Sequence, residues 1–403
     1  IKHASDTIFI ARIIQKYINE QLRNKEKYKK VLEEAKKPKI VEITSNPSDT
    51  DLMMEFYDRE LEKYKDKQDG KVFLSITSGT QAMNSMLLFN AIKHLNKQAE
   101  VLYLPKDESF VNNLQVGERI LKQNYIENMT DNVKNFDYYA ALQFIRKHKD
   151  AFLDIENAEL FLKYAHQRFS FNFEEAEQII KLLIDKNPKY RTKLSEFYNQ
   201  LIDMMYDVDN NPRLLIAELY WNIWVLYQRG QFIDVLGRIF RFQEAILNYG
   251  LTKVLNIPIS DKGIIDPKWL EDRTELNEYL SNIDTSKGKG VVVHNKPLTR
   301  LSMMSILKFY SKKMNELELL IRSTEMIEKL AELRNKTTIA HGWKGCSEYD
   351  LYTYLKDPLN LNDISELEGK FFGLLKDIYT NVFGEQKEIE TNVYTNQNQY
   401  IIE

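Results

Sequence analysis

Lys71–Leu87 reads KVFLSITSGTQAMNSML. Lys71–Thr77 is short, apolar and suited to a strand, Ser78-Gly79-Thr80 is a turn, and Gln81–Leu95 carries Met83, Met86, Leu87 and Ile92 at helical spacing. Outward from this strand–turn–helix unit the pattern repeats. Upstream, Lys39–Thr44 (KIVEIT) is another β-branched run, Ser45-Asn46-Pro47-Ser48 a turn, and Ser48 or Asp49 the cap of a helix over Thr50–Lys65. Downstream, Val101–Leu104 is a further strand, ended by Pro105. Strands alternating with helices at this spacing predict a parallel sheet, so the first domain is α/β and Rossmann-like. Ahead of it, Ile8–Asn24 has helical periodicity and runs into a charged segment, Lys25–Lys37.

Ligands of such sheets bind beyond the carboxyl ends of the strands, which puts the loops Ser45–Ser48 and Thr77–Thr80 at one site. Ser78-Gly79-Thr80 stands directly before a helix, where free backbone N–H groups and hydroxyls can hold a phosphate. The same three residues also suit an ordinary N-cap turn, and by themselves they leave both readings open. Neither a Walker lysine nor a GxGxxG motif accompanies them, so nothing indicates NTP hydrolysis or a nicotinamide cofactor.

From about Asn112 strand signals nearly vanish. Phe136–His148, Asn157–Arg168, Phe173–Lys186, Lys193–Val208 and Leu214–Arg229 read as helices, followed later by Glu348–Lys356, Ser365–Val382 and a polar tail rich in Asn and Gln. Tyr220, Trp221, Trp224 and Tyr227 lie at helical spacing beside Ile223 and Leu226, the pattern of a core rather than of a base-stacking platform. Gly288–Gly290, with lysines around it, reads as a flexible basic loop.

Within the helical part, Leu333–Gly342 reads LRNKTTIAHG. A helix running through it would put Arg334 and His341 on nearly the same face, on a stripe with Ile327, Ala331 and Thr338, at the edge of the more apolar stripe Met326, Leu330, Leu333, Thr337 and Ala340. Gly342 then serves as the helix stop. An arginine and a histidine so placed can act on a phosphate, or can simply snorkel and complement the helix dipole; the spacing alone leaves both open.

At 403 residues the chain is long enough for two or three domains. A net charge of −3 argues against a global nucleic-acid-binding field, so any RNA site is a local groove. The single Cys346 excludes an intrachain disulfide framework and a Cys cluster for zinc, which fits a reducing, cytoplasmic setting. No apolar run reaches membrane-spanning length.

With KVFLSITSGTQAMNSML and LRNKTTIAHG in this order, the chain resembles the Csm-type ancillary ribonucleases of type III CRISPR-Cas systems. These join a CARF domain, a Rossmann-like sensor of cyclic oligoadenylate, to a C-terminal HEPN domain with an Arg-x4-6-His motif. The resemblance implies a CARF domain over 1–125, a helical connector over 126–212 and a HEPN domain over 213–403. It implies catalytic Arg334, Asn335 and His341, and a cyclic oligoadenylate site at Asn46, Thr77, Ser78, Gly79, Thr80 and Gln81, with six adenylates favoured over four. It also implies a homodimer that cleaves single-stranded RNA without a metal, leaving 2′,3′-cyclic phosphate ends, with no DNA or membrane partner. One departure stands out: CARF domains open with a strand and a ligand-contacting loop, and neither precedes His3. The chief rival is a nucleotide-binding regulator in which the Arg/His pair is structural. A CARF transcription factor would need a basic helix-turn-helix, and no helix here has that charge.

Overall fold

The computed structural model describes the chain apart from residues 1–10, 23–24, 26–39, 66–70, 96–97, 105–110, 115, 150–151, 153–154, 207–211, 286–287, 292, 313, 341, 385–386 and 403. It is mostly helical, with a small three-stranded sheet, and divides into two compact units, Ile1–Tyr125 and Ile126–Glu403.

In the first unit, β1 (Val72–Ser75) and β2 (Ala99–Tyr103) pair in parallel, as the strand–helix–strand pattern predicts. A third strand, β3 (Asn112–Leu114), adds antiparallel to β2 in a stretch with little strand signal. The order is β1-β2-β3. Helices α1 (Thr50–Glu62) and α2 (Gln81–Leu95) bury Leu61, Ala91 and Leu95 against Leu74 and Val101 of the strands. Asp49, rather than Ser48, caps α1, its carboxylate accepting from the Leu52 amide at 3.1 Å. Asp58 of α1 pairs with Lys93 (2.6 Å) and His94 (2.7 Å) of α2, which holds its carboxyl below the usual range and gives His94 a structural role. Alternation along β1 leaves Phe73 61% exposed on the opposite face.

One expectation fails here. Ile40–Thr44, the described part of the KIVEIT run, forms no strand: Val41, Glu42 and Thr44 are exposed, and a strand needs both a neighbour for its amides and a face to bury. The helix expected over Ile8–Asn24 is described at residues 11–22, where it loosens into a π-helical turn at Ile18–Leu22; most of Lys25–Lys37 lies outside the described residues.

The second unit is built of α-helices whose limits follow the apolar periodicity closely. They include α3 (Tyr138–Lys147), α4 (Ile155–Phe169), α5 (Phe173–Lys186), α6 (Arg191–Tyr206), α7 (Arg213–Gln228) and α8 (Phe232–Tyr249). Further along come α9 (Arg300–Ser311), α10 (Asn315–Glu328), α11 (Leu330–Lys336), α12 (Glu348–Leu355) and α13 (Leu367–Phe383). The main core joins α7, α8, α10, α11, α12 and α13 through Ile223, Ile239, Leu320, Leu330, Leu351, Phe371 and others. Tyr220 and Tyr227 are buried in it, with Trp221 and Trp224 packed against it, as their spacing predicts. Gly288–Lys289 is not a loose loop but pairs antiparallel with Asp284–Thr285. The polar tail ends in helix α14 (Val393–Ile402), which docks: Tyr138 donates to Asn398 at 2.8 Å, and Asn398 donates to the Val133 carbonyl at 2.7 Å. Amide side chains that look solvated in sequence here satisfy buried groups.

Arg168 of α4 and Glu218 of α7 form a fully buried bidentate pair, Nε to Oε1 at 2.8 Å and Nη2 to Oε2 at 2.9 Å. Arg168 also donates to the Tyr164 hydroxyl (2.9 Å) and to Gln200 of α6 (3.3 Å). Burial opposes the guanidinium charge, but Glu218 and Tyr164 outweigh it and raise its pKa. Removing one partner strands a buried charge, so Arg168→Met is expected to destabilise the chain by about 3–5 kcal/mol. Arg168→Met combined with Glu218→Leu should recover most of that loss in the same urea titration; a double variant no more stable than the single one would contradict the assignment.

Candidate functional site

LRNKTTIAHG lies in the second unit. Leu330 and Leu333 are buried and fix the orientation of α11, which begins after a break at Lys329 and ends at Lys336. The expected helix through Gly342 therefore does not form. Thr337 is extended, and its amide and hydroxyl both donate to the Arg334 carbonyl, at 3.0 and 2.7 Å. The run Thr337-Thr338-Ile339 is β-branched, which disfavours further helix. The chain instead turns back on the helix end. Ala340 and Gly342 donate to the Thr337 carbonyl (3.2 and 3.1 Å), and Lys344 donates to the Lys336 carbonyl (3.1 Å). The helix's last carbonyls are thus satisfied by a returning loop.

This changes the role of Gly342. It is not a left-handed helix stop; it allows close approach, since a Cβ there would lie 1.9 Å from the Lys336 carbonyl oxygen. Gly237 of α8 provides a second close approach, where a Cβ would lie 2.4 Å from Cδ1 of Ile339. Ile339 is therefore seated on α8.

The Arg334 guanidinium lies over the Phe240 ring at 5.0 Å. Arg300 lies over the same ring at 4.7 Å, but it is paired with Glu328 at 3.0 Å. Among the described residues no carboxylate pairs with Arg334, and its buried Nε has no hydrogen-bond partner. A half-buried cation held on an aromatic face and left uncompensated is ready for an anion. Asn335 is exposed and makes no side-chain hydrogen bond among the described residues. His341 lies outside the described residues, and the helix expected to carry it ends at Lys336. Beyond Gly342, Trp343 is 94% exposed. Lys344 pairs with Asp350 at 2.6 Å, and with Ser347 it holds the Asp350 carboxyl down to about 2. Among the described residues no three His, Cys, Asp or Glu side chains converge.

Phe240, the Gly237–Ile339 contact and Trp343 were not singled out from sequence. Only Trp343, a lone tryptophan next to the His-Gly pair, carried a local signal.

In the first unit the two expected loops do come together, because the Thr80 hydroxyl donates to the Pro47 carbonyl. Thr80 also caps α2, accepting from the Met83 amide at 3.2 Å. Thr77 accepts from the Leu104 amide (2.9 Å) and the Ser75 hydroxyl (3.2 Å), and Asn46 accepts from the Ser48 amide (3.1 Å). These groups build the turn. Ser78, Gly79 and Gln81 are exposed beside it, with Gly79 at φ +115°, a conformation that favours glycine.

The model of the Cas_Csm6 HEPN domain matches residues 201–402, half of the chain, and the chain belongs to that family. HEPN domains of this kind are generally endoribonucleases. Among solved structures, the fold resembles Enterococcus italicus Csm6 bound to cyclic hexa-2′-fluoro-hexa-dAMP, with a TM-score of 0.60 and 16% identity over 90% of this chain and 81% of that one. No curated protein matches the chain.

Because the atoms facing Gly342 are backbone, Gly342→Ala cannot be relieved by a rotamer change. It is expected to speed hydrogen exchange at the Ala340, Gly342 and Lys344 amides by about tenfold, the net worth of one hydrogen bond, while leaving the core amides protected. Unchanged exchange at these three amides would show that the returning loop is not held as described.

Proposed function

We propose that the chain is an endoribonuclease of type III CRISPR defence, activated by cyclic oligoadenylate and acting as a cytoplasmic homodimer on single-stranded RNA. The observation that carries this reading is Arg334: a guanidinium on the Phe240 face with no acid paired to it among the described residues, inside the segment that matches the Csm6 HEPN family. In the proposed reaction the RNA 2′-hydroxyl attacks the adjacent phosphorus and the P–O5′ bond breaks, leaving a 2′,3′-cyclic phosphate and a 5′-hydroxyl. His341, with an intrinsic pKa near neutrality, takes the proton from the 2′-hydroxyl or returns one to the leaving oxygen. Arg334 offsets charge on the pentavalent phosphorus. Asn335, exposed and next to Arg334 in the chain, is assigned to orienting the substrate. No step calls for a metal ion.

The first unit is proposed as the CARF sensor, followed by a helical connector to 212 and the HEPN domain from 213. Its parallel β1–α2–β2 unit and the joined loops at Pro47 and Thr80 support that reading. Asn46, Thr77 and Thr80 shape the ligand turn, while Ser78, Gly79 and Gln81 face the cyclic oligoadenylate. The solved relative holds a six-membered analogue, which supports six adenylates over four.

Arg334→Ala and His341→Ala are each expected to lower cleavage by about 10²- to 10⁴-fold with little change in melting temperature. The parent should remain active in EDTA and yield cyclic phosphate ends. Full activity in a folded His341→Ala protein, or loss in EDTA restored by Mg²⁺, would contradict the mechanism.

For the sensor, Gln81→Ala is a cleaner probe than Gly79→Val, which would strain the turn as well as block it. Gln81→Ala should weaken binding of cyclic hexaadenylate by about tenfold in calorimetry, one hydrogen bond to a charged or polar ligand group. Unaltered affinity would place the ligand elsewhere.

A further inference from the structure

Beside the motif loop, α8 and the helices around it line an open cavity of about 370 Å³. Its wall includes Ile339, which lies between Arg334 and His341 in sequence and is seated on α8 where Gly237 has no side chain. Asn222 of α7 lines it and is fully buried. The Asn222 amide nitrogen donates to the Phe169 carbonyl at 3.0 Å, and the Tyr394 hydroxyl is a second hydrogen-bonding neighbour.

At the mouth stand Arg238 and Arg241, three residues apart on one face of α8, with Asp234 one turn earlier. Two guanidinium groups thus face one carboxylate in this lining. Arg238 lies over the Phe171 ring at 4.6 Å, and burial holds its pKa below the ordinary value, with Asp234 opposing that shift. Arg241 is exposed, and among the described residues its ion-pair contact is with Glu244 at 3.6 Å. Phe169, Leu226 and Ile339 give the interior an apolar lining.

On the reading that the motif loop cleaves RNA, we infer that this cavity binds one nucleotide of the substrate strand flanking the cleaved phosphate. Arg238 and Arg241 take its phosphate, and the apolar lining takes its base. The volume suits a nucleotide. Arginine–phosphate contacts fix the register of the strand. Since Ile339 belongs both to the cavity wall and to the motif loop, a nucleotide seated here sets which phosphate reaches Arg334.

The test uses the full chain with saturating cyclic hexaadenylate and a fluorescent 2′-O-methyl oligoribonucleotide, which lacks the 2′-hydroxyl that cleavage requires. Binding is followed by anisotropy across a salt series, with cleavage of unmodified RNA measured in parallel. Arg238→Gln and Arg241→Gln should each weaken binding by about tenfold and reduce the salt slope by about 1, and Arg241→Lys should restore the slope. Polyphosphate of equal charge should compete poorly, because it has no base. A parent that cleaves RNA while both glutamine variants keep its affinity and salt slope would overturn the nucleotide site alone, as would equal competition by polyphosphate. A parent that neither binds nor cleaves RNA would overturn the ribonuclease reading and this site with it. Arg241 is exposed, so its variant is read even if Arg238→Gln fails to fold.

Discussion

The second unit depends on one buried ion pair. Arg168 and Glu218 exchange two charge-assisted hydrogen bonds out of contact with water, and Tyr164 and Gln200 satisfy most of the remaining guanidinium. Such a pair adds little net stability compared with a packed apolar replacement, but it tolerates only one arrangement of the helices that carry it. It therefore fixes α4, α6 and α7 relative to one another. Glu218 lies within the family-matched segment and Arg168 before it, so the helices upstream of that segment share its core and are not a loose tether. The C-terminal helix completes the arrangement by returning to Tyr138 and Val133.

From this frame α7 and α8 present the floor on which the motif loop rests. Phe240 carries Arg334, Gly237 receives Ile339, and Gly342 lets the loop close against the end of α11. Arg300 shares the Phe240 ring but has Glu328, whereas Arg334 has no acid among the described residues. That asymmetry separates a structural arginine from one left open to an anion, and neither sequence spacing nor composition contains it. The proposed chemistry is accordingly a property of a loop held against two helices rather than of a helical face.

Much of the first unit was legible because its signals are local. The β1–α2 segment, the cap region of α1 and the parallel pairing follow from β-branched runs, turn residues and helical spacing that act within a few residues. Ile40–Thr44 shows the limit of such signals: its composition suits a strand, yet pairing depends on a partner that the segment does not itself supply. β3 shows the converse, since Asn112–Leu114 is poor strand sequence stabilised by the open edge of β2. The Pro47 and Thr80 loops were expected together as two strand ends, but with no strand at Ile40–Thr44 they are joined by the Thr80 hydroxyl donating to the Pro47 carbonyl.

The sequence by itself determined the helix and strand periods, the family resemblance and the identity of the motif residues, since these rest on residue types at short separations. Tertiary structure decided that α11 stops at Lys336, that Gly342 serves close approach, that Arg334 stands on Phe240, and that an Asn- and Gln-rich tail becomes a packed helix. Each of these turns on contacts between residues distant in the chain or on a loop closing over its own helix end. Whether a donor, a charge or a methyl group finds a partner there is settled by packing, and no local pattern records it.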